Sequence, residues 1–330
     1  MNGLLLPSWA AALGWSLLHF LWQGALLGAL TLLGLRLARH RRPETRYLLG
    51  CLALASMVLA FLATFAWIAR EARPLLVLTG PHPGIAQGPG LVDRIRPWLP
   101  WVLAGWACGS AVLGLRMAAG LCWLYGPCLR RAQPAPRPWA DRLERLRDLL
   151  GCTRPVRLLL SDLVDSPLVV GFYRAVILVP ASAFTALPPE ALEAILAHEL
   201  SHVRRWDFLV NFVQNLAEIL LFFHPALWWV SRQVRREREH CCDDAAILAC
   251  GDRLRYAEAL AALEALRPSP PTDIRLAPAG HGGALVNRIR RILTACPPTL
   301  TLTRPGILAL AAATALGAGT RMATAIPVPP

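Results

Sequence analysis

The chain has 330 residues, of which 55% are hydrophobic, and its mean hydropathy of +0.44 is high for a soluble protein. This composition predicts an integral membrane protein that lies in a lipid bilayer. The net charge of +13 comes from arginine alone, because the sequence contains no lysine, so biased composition and charged membrane flanks explain it better than direct nucleic-acid binding. The nine cysteines form no paired framework and are interpreted as free thiols.

Three long apolar runs predict an N-terminal membrane region over residues 1–127. They cover 9–35, 47–68 and 98–125, and each is long enough to cross a bilayer as a helix. The short connection between the first two runs is rich in arginine and is therefore predicted to be cytoplasmic, with the N-terminus outside. The stretch 70–96 is rich in glycine and proline and is predicted to be an external loop.

Residues 128–266 are predicted to form a cytosolic domain of helices and short strands. Charges and leucines at helical spacing predict an amphipathic helix over 139–150. Runs rich in β-branched residues predict strands at 156–160, 168–170 and 175–179, and the last two are expected to pair as a hairpin.

The next predicted helix carries the pattern His-Glu-x-x-His. His198 and His202 are four residues apart and so lie on one helical face, with Glu199 beside them. Two such imidazoles can hold a zinc ion while the glutamate takes a proton from a zinc-activated water, which is the chemistry of peptide-bond hydrolysis. Because the pattern also arises by chance, the surrounding sequence has to show whether it marks a metal site.

Catalytic zinc commonly keeps three protein ligands, so one ligand is still needed. On a charged helix predicted up to residue 250, Glu239 is the best candidate, because Asp243 one turn later can orient a ligating histidine. Glu237 faces roughly the opposite way and is the weaker choice. Asp207, shortly after the motif, is either another orienting acid or simply a helix-end residue.

Two further interpretations of the residues around the motif stay open, one a second metal site and the other a substrate-binding strand. His240, Cys241 and Cys242 can form a separate Cys/His metal site, although two inert thiols on a small apolar helix face are the more common outcome. An extended substrate can pair with an edge strand near the zinc, and 176–179 is the obvious candidate, although a buried strand would look the same.

Residues 208–230 are predicted to form a membrane-associated helix. The run is mostly apolar, yet polar residues recur along one face every three or four positions. They are Asp207, Asn211, Gln214, Asn215 and Glu218. This face either borders a wet catalytic cavity or forms an ordinary polar seam between packed helices.

The C-terminal part is predicted to contain a linker with a short basic helix over 267–304 and a fourth transmembrane helix with a short tail over 305–330. The linker itself covers 268–283 and is an accessible place for self-cleavage, and the basic helix covers 285–293. The apolar run at 305–320 is short for a spanning helix.

A larger set of motifs between residues 166 and 243, within a similarity that covers roughly residues 10–320, is more specific than the histidine pattern alone. They are Ser166-Pro167 with Gly171-Phe172, Val179-Pro180, Leu196 to His202 with Arg204, Arg205 and Asp207, His224-Pro225 with Trp228, and Arg236 to Glu239 leading to Cys242-Asp243. Together they resemble the BlaR/MecR-type antirepressor metallopeptidases. The resemblance implies a mainly α-helical membrane protein with about four transmembrane helices and a cytosolic α+β zincin-like metallopeptidase domain.

The same resemblance implies zinc as cofactor, His198, His202 and Glu239 as its ligands, and Glu199 as general base. It implies a signal-transducing endopeptidase of the bacterial inner (cytoplasmic) membrane whose protein substrate is a cytosolic transcriptional repressor. An oligomer is compatible with the sequence.

There is one departure from the family pattern. The best-known members carry an external penicillin-binding sensor domain after the last transmembrane helix, whereas this sequence stops at Pro330. Sensing of β-lactam by that route is therefore not expected. The alternatives are a non-catalytic membrane signalling or scaffold protein and a quality-control protease resembling the HtpX and prenyl-protein endopeptidase type.

Overall fold

A computed structural model describes residues 7–71, 94–267 and 281–294. The chain divides into two compact units. One contains the described residues of Met1–Ala118 together with Gln214–Val234, and the other contains those of Ala119–Val213 and Arg235–Gly306.

Most of the described chain is helical. The α-helices are α1 (Ser8–Leu37), α2 (Pro43–Glu71), α3 (Leu99–Trp123), α4 (Arg137–Leu149), α5 (Ala181–Ala186), α6 (Pro189–Arg205), α7 (Asp207–Leu220), α8 (Pro225–Cys250), α9 (Arg253–Ala265) and α10 (His281–Thr294). A 3-10 turn (Arg96–Trp98) precedes α3, and a π turn (Leu124–Cys128) with a short helical segment (Leu129–Arg131) follows it.

Three helices of the described part are long and apolar enough to cross a membrane. They are α1, α2 and the continuous helical stretch Arg96–Arg131 that contains α3. These helices confirm the three apolar runs predicted from the sequence. Large apolar side chains such as Trp101 and Leu115 are exposed on α3, as expected for a surface that faces lipid. The fourth predicted span, at 305–320, and most of the predicted external loop lie outside the described residues.

A small sheet belongs to the second unit. Its strands are β1 (Gln133–Pro134), β2 (Val156–Ser161), β3 (Leu168–Val170) and β4 (Ala175–Pro180). Their order is β1-β2-β4-β3, with β2 and β4 parallel and β3 and β4 antiparallel. The predicted hairpin of β3 and β4 is therefore confirmed, whereas the two-residue strand β1 was not predicted.

The prediction that 176–179 forms a substrate-binding edge strand is wrong. These residues lie in β4, which pairs with β2 on one side and β3 on the other, so its backbone groups are already used. All six residues of β4 are buried, which explains why the strand is apolar on both faces. Among the described strands, the free edge on this side of the sheet belongs to β3.

The turn between β3 and β4 requires a glycine. Gly171 has φ +101°, and a Cβ at this position would lie 2.5 Å from the carbonyl oxygen of Arg174. We expect Gly171→Ala to lower the free energy of unfolding by about 3 kcal/mol, as strained backbone and a steric clash combine. Gly151→Ala is the matched control, because its φ is +64° but no atom lies within 4 Å of the added Cβ, and it should cost about 1 kcal/mol. Equal losses in denaturant unfolding of the detergent-solubilised protein would contradict this assignment.

The single helix predicted over 208–230 is in fact two helices. Helix α7 ends at Leu220 and α8 begins at Pro225. Proline lacks an amide hydrogen and fits the first turn of a helix, so Pro225 starts a new helix and does not continue the old one. Helix α8 then continues as far as Cys250, which confirms the predicted charged helix.

The polar residues of α7 divide between two environments. In the first unit, Gln214 donates to the carbonyl oxygen of Ser231 (3.0 Å), and the Ser231 hydroxyl donates to Glu218, so these side chains form a buried polar seam. In the second unit, Asp207 and Asn211 line a cavity. The predicted polar seam is therefore confirmed for one part of this face, while the other part borders a cavity.

The core of the second unit positions the site. Helix α6 buries apolar residues at helical spacing, and this core also includes side chains of β4, α8, α9 and α10. On α6 they are Leu192, Ile195, Leu196, Leu200 and Val203. Because α6 is surrounded in this way, its two histidines are held by packing on a rigid element.

Candidate metal centre

Helix α6 brings the two motif histidines together. Pro189 and Glu190 form its first turn, where proline is tolerated and an acid is favourable. The Nε2 atoms of His198 and His202 are 3.2 Å apart, and the two rings meet edge to face. Both ring nitrogens therefore point at one region of space.

Helix α8 supplies a carboxylate to the same point. The Glu239 carboxylate oxygens lie 3.5 Å from Nε2 of His198 and 3.9 Å from Nε2 of His202. Two donors that are each about 2.0–2.1 Å from a tetrahedral zinc ion lie about 3.3 Å apart. The spacing and the chemistry of these three donors fit a zinc site, and all three lie within 4.8 Å of one another.

Asp207 contacts the far side of His202. Helix α6 ends at Arg205, and the left-handed backbone of the next residue, Trp206 (φ 61°), turns the chain so that Asp207 returns to the motif. Its Oδ2 atom is 2.8 Å from Nδ1 of His202. Burial opposes a negative charge, but the hydrogen bond to His202 and the nearby Arg205 lower the pKa of Asp207 below its ordinary value. The side chain is therefore an ionised acceptor that can orient the imidazole.

A tyrosine that the sequence did not predict contacts the far side of His198. The Tyr256 hydroxyl is 2.8 Å from Nδ1 of His198 and donates a hydrogen bond of 2.7 Å to Asp243. The direct distance from Asp243 Oδ1 to His198 Nδ1 is 3.4 Å. Asp243, which the sequence marked as an acid that can orient a ligating histidine, lies behind His198, and its hydrogen-bonded connection to this histidine runs through Tyr256.

Two arginines of α10 hold this region of α8. Arg288 donates to Asp243 over 2.5 and 3.1 Å, and its Nη1 atom is 3.4 Å from Glu239. Arg291 pairs with Asp244 over 2.6 and 2.7 Å. The sequence contains a signal for these ion pairs: two arginines three residues apart on a short basic helix, and two consecutive aspartates on α8.

Charges around the site set the protonation of the candidate ligands. Burial opposes charge on Glu239, yet its hydrogen bond to His198 and the positive charges of His202 and Arg288 hold its pKa well below the ordinary value. Burial also acts to lower the pKa of His202, but Cys242, Asp207 and Glu239 outweigh it and raise this pKa well above normal. Glu239 is therefore ready to bind a cation, whereas a metal ion at His202 has to displace a proton.

The remaining sulfur and nitrogen groups of α8 do not form a Cys/His cluster of their own. Cys242 Sγ lies 3.4 Å from Nδ1 of His202 and 3.7 Å from Asp207 Oδ2, and these three groups form a second set of donors close enough to hold a metal. Burial is the main cause that raises the pKa of Cys242, which favours the neutral thiol over the metal-binding thiolate. His240 contacts Glu237 (3.3 Å), so Glu237 has a different partner from Glu239.

The histidine pair opens into a cavity of about 320 Å³. Glu199 lines it next to His198 and is largely buried, with 8% of its surface exposed. The apolar part of the lining comes from the β3 segment, α6, α7 and α9: Pro167, Leu168, Val169, Ile195, Phe208, Leu260 and Leu263. The cavity therefore brings together the Glu199 carboxylate, three candidate metal ligands and an apolar wall beside the free edge of β3.

A helix with the His-Glu-x-x-His pattern, a glutamate from a second helix and acids behind the histidines define a centre of the metallopeptidase type. A family model described as BlaR1 peptidase M56 matches residues 92–292, and the chain belongs to this family. The resemblance predicted from the motifs is thereby confirmed.

A regulatory protein and a methicillin resistance protein are among the relatives of this chain. The regulatory protein BlaR1 of Bacillus licheniformis is 30% identical over 138 residues, which cover 41% of this chain and 22% of that protein. The methicillin resistance mecR1 protein of Staphylococcus aureus is 28% identical over 102 residues, which cover 30% of this chain and 17% of that protein. The chain thus spans about a fifth of the length of the curated relatives it matches.

Proposed function

We propose that this protein is a membrane-embedded, zinc-dependent endopeptidase. The observation that carries the proposal is the convergence of His198, His202 and Glu239 on one point, at the spacing that zinc requires, with Glu199 in the adjoining cavity. Zinc, when bound, would polarise the peptide carbonyl and make a water molecule more acidic.

The side chains of the site divide the work of hydrolysis. Glu199 accepts the proton of the attacking water and delivers it to the amine that leaves. Asp207 and the Tyr256–Asp243 pair hold the two imidazoles by their Nδ1 atoms, so that both Nε2 atoms face the cavity. This division of roles is that of a zincin-like peptidase domain.

We further propose that substrate binds as an extended strand along β3. This strand has a free edge among the described strands, and Leu168 and Val169 line the cavity. Main-chain pairing would hold a peptide past the metal centre, while the wall formed by Ile195, Leu260 and Leu263 favours an apolar side chain next to the scissile bond. An unfolded or exposed segment of a protein, not a folded surface, is then the substrate.

The physiological substrate that we propose is a cytosolic regulatory protein of the transcriptional-repressor class. Support comes from family membership and from relatives whose names describe regulation and methicillin resistance. The arginine-rich turn between α1 and α2 supports a cytosolic catalytic unit in the bacterial inner membrane, with the N-terminus outside. The run at 305–320 is the proposed fourth span.

Removal and return of zinc tests the proposal. We expect the detergent-solubilised protein to contain about one zinc ion per chain. A chelator should lower the midpoint of thermal unfolding and stop proteolysis, because a ligand at 100 times its Kd stabilises a folded protein by about 2.7 kcal/mol. Stoichiometric zinc should restore both properties. A wild-type protein that neither retains nor rebinds zinc would contradict the proposal.

A further inference from the structure

A continuous line of hydrogen bonds runs from the back of His198 to helix α10. Nδ1 of His198 faces the Tyr256 hydroxyl at 2.8 Å, and that hydroxyl donates to Asp243 Oδ1 at 2.7 Å. Arg288 completes the line with two hydrogen bonds to the Asp243 carboxylate. Its four members come from four different helices, α6, α9, α8 and α10; Tyr256 is 58 residues from His198, and Arg288 is 45 residues from Asp243.

The direction of each hydrogen bond in this line is determined by chemistry. Asp243 is ionised beside Arg288 and can only accept, so the hydrogen of the Tyr256 hydroxyl must point at Asp243. The hydroxyl oxygen is then left as an acceptor for His198 Nδ1–H. A histidine that is protonated at Nδ1 and neutral presents its Nε2 lone pair on the opposite side, toward Glu239 and His202.

Asp243 is too far from His198 to replace Tyr256 as the hydrogen-bond acceptor of Nδ1. The distance from its Oδ1 atom to His198 Nδ1 is 3.4 Å, too long for a good hydrogen bond of this kind, whereas the hydroxyl lies at 2.8 Å from the same nitrogen. Tyr256 and Asp243 are both fully buried, so water is not at hand to substitute for the hydroxyl. Removal of that one oxygen atom therefore leaves Nδ1 without its close acceptor.

We propose that Tyr256 is a positioning residue for the metal centre, and that through Asp243 and Arg288 it makes metal affinity depend on the docking of α10. The inference rests on the proposed zinc site. Arg288 stands behind two of the three candidate ligands, since it binds Asp243 and also lies 3.4 Å from Glu239. One arginine of α10 thus supports both His198 and Glu239.

Tyr256→Phe tests the first part of the proposal with the loss of a single oxygen atom. We expect zinc affinity, measured by competition with a chromophoric chelator on the full-length protein in detergent, to fall about 10- to 100-fold. The visible spectrum of the cobalt-substituted protein should change as well, because the ligand His198 is no longer held in one orientation. The unfolding midpoint with excess chelator should stay close to that of the wild type.

Tyr173→Phe is the matched control. It removes the same atom from a tyrosine that is 82% exposed, and it should leave zinc affinity and the cobalt spectrum unchanged. If Tyr256→Phe binds zinc as tightly as this control, the proposal is overturned. If Tyr256→Phe is unstable even in chelator, Asp243→Asn becomes the test of the proposal. This variant keeps the side-chain volume but removes the charge of the acceptor. Unchanged zinc affinity in Asp243→Asn would also overturn the proposal.

Arg288→Met tests the link to α10. Arg291 still pairs with Asp244 in this variant, so α10 should stay docked while zinc affinity falls. Arg290→Met is the control, because Arg290 is exposed on the same helix and its replacement removes an equal charge. Equal zinc affinities in the two variants would exclude the role of Arg288. A wild-type protein without zinc would instead contradict the proposed function, so the two failures can be told apart.

Discussion

Replacement of Glu199 by glutamine is expected to abolish proteolysis and leave zinc bound. The amide keeps the size of the side chain but cannot accept the proton of the attacking water, and a positioned general base typically contributes about 10²- to 10⁴-fold in rate. Glu199 is not among the three groups that converge on the candidate metal position, so zinc content should equal that of the wild type. His202→Ala, in contrast, should lose zinc and activity together.

Membrane fractions that contain either the wild type or Glu199→Gln provide the measurement. Zinc is determined by elemental analysis, and new N-termini are mapped in the protein itself and in co-expressed cytosolic proteins. Glu193→Gln is the control on the same helix, because Glu193 is partly exposed and pairs with Arg142 (3.1 Å), away from the cavity. Full cleavage by Glu199→Gln would contradict the role assigned to Glu199.

The same comparison separates the other classes of function. A wild type that binds zinc but produces no fragments would favour a non-catalytic signalling or scaffold protein. Fragments from many misfolded membrane proteins would favour a quality-control protease. A single cleaved cytosolic regulator, or cleavage within 268–283 of the chain itself, would favour the antirepressor type that we propose.

Features that depend on local sequence were predictable. Three helices long and apolar enough to span a membrane follow from long apolar runs, because a helix in lipid needs only enough consecutive apolar residues. The approach of His198 to His202 follows from their spacing on one helix. Of these predictions, the choice of Glu239 as the third ligand reaches furthest along the sequence from the motif. It rested on Asp243, an acid one turn later on the same face of the same helix.

Features that depend on packing between distant helices were not predictable. Tyr256 and His198 are 58 residues apart, and Arg288 and Asp243 are 45 apart, so no periodicity links them. The order of strands is likewise a tertiary property: β4 is apolar enough for either an edge or a central position, and only its pairing with β2 makes it central. The break between α7 and α8, in contrast, was predictable from the sequence. Pro225 is a helix-start signal, but the continuous apolar character of 208–230 favoured a single helix.

Replacement of Glu239 by glutamine is expected to remove zinc from the protein. Glutamine has the same shape but no charge, and it is a much weaker ligand for a divalent cation than the carboxylate held ionised by His202 and Arg288. Loss of a direct ligand should weaken zinc binding by more than the roughly 100-fold upper range for an outer partner. Zinc content after dialysis and competition with a chelator would measure the effect.

Two further variants of α8 show which residues hold the metal. Glu237→Gln alters a buried glutamate two residues earlier on α8 that contacts His240, and it should leave zinc in place. Cys242→Ser tests the second group of donors, in which His202 would bind through Nδ1 together with Cys242 and Asp207 and leave His198 out. In the arrangement that we propose, His202 Nδ1 is bound to Asp207, so zinc should survive Cys242→Ser. Retention of zinc by Glu239→Gln together with its loss in Cys242→Ser would move the metal to the opposite side of the His202 ring.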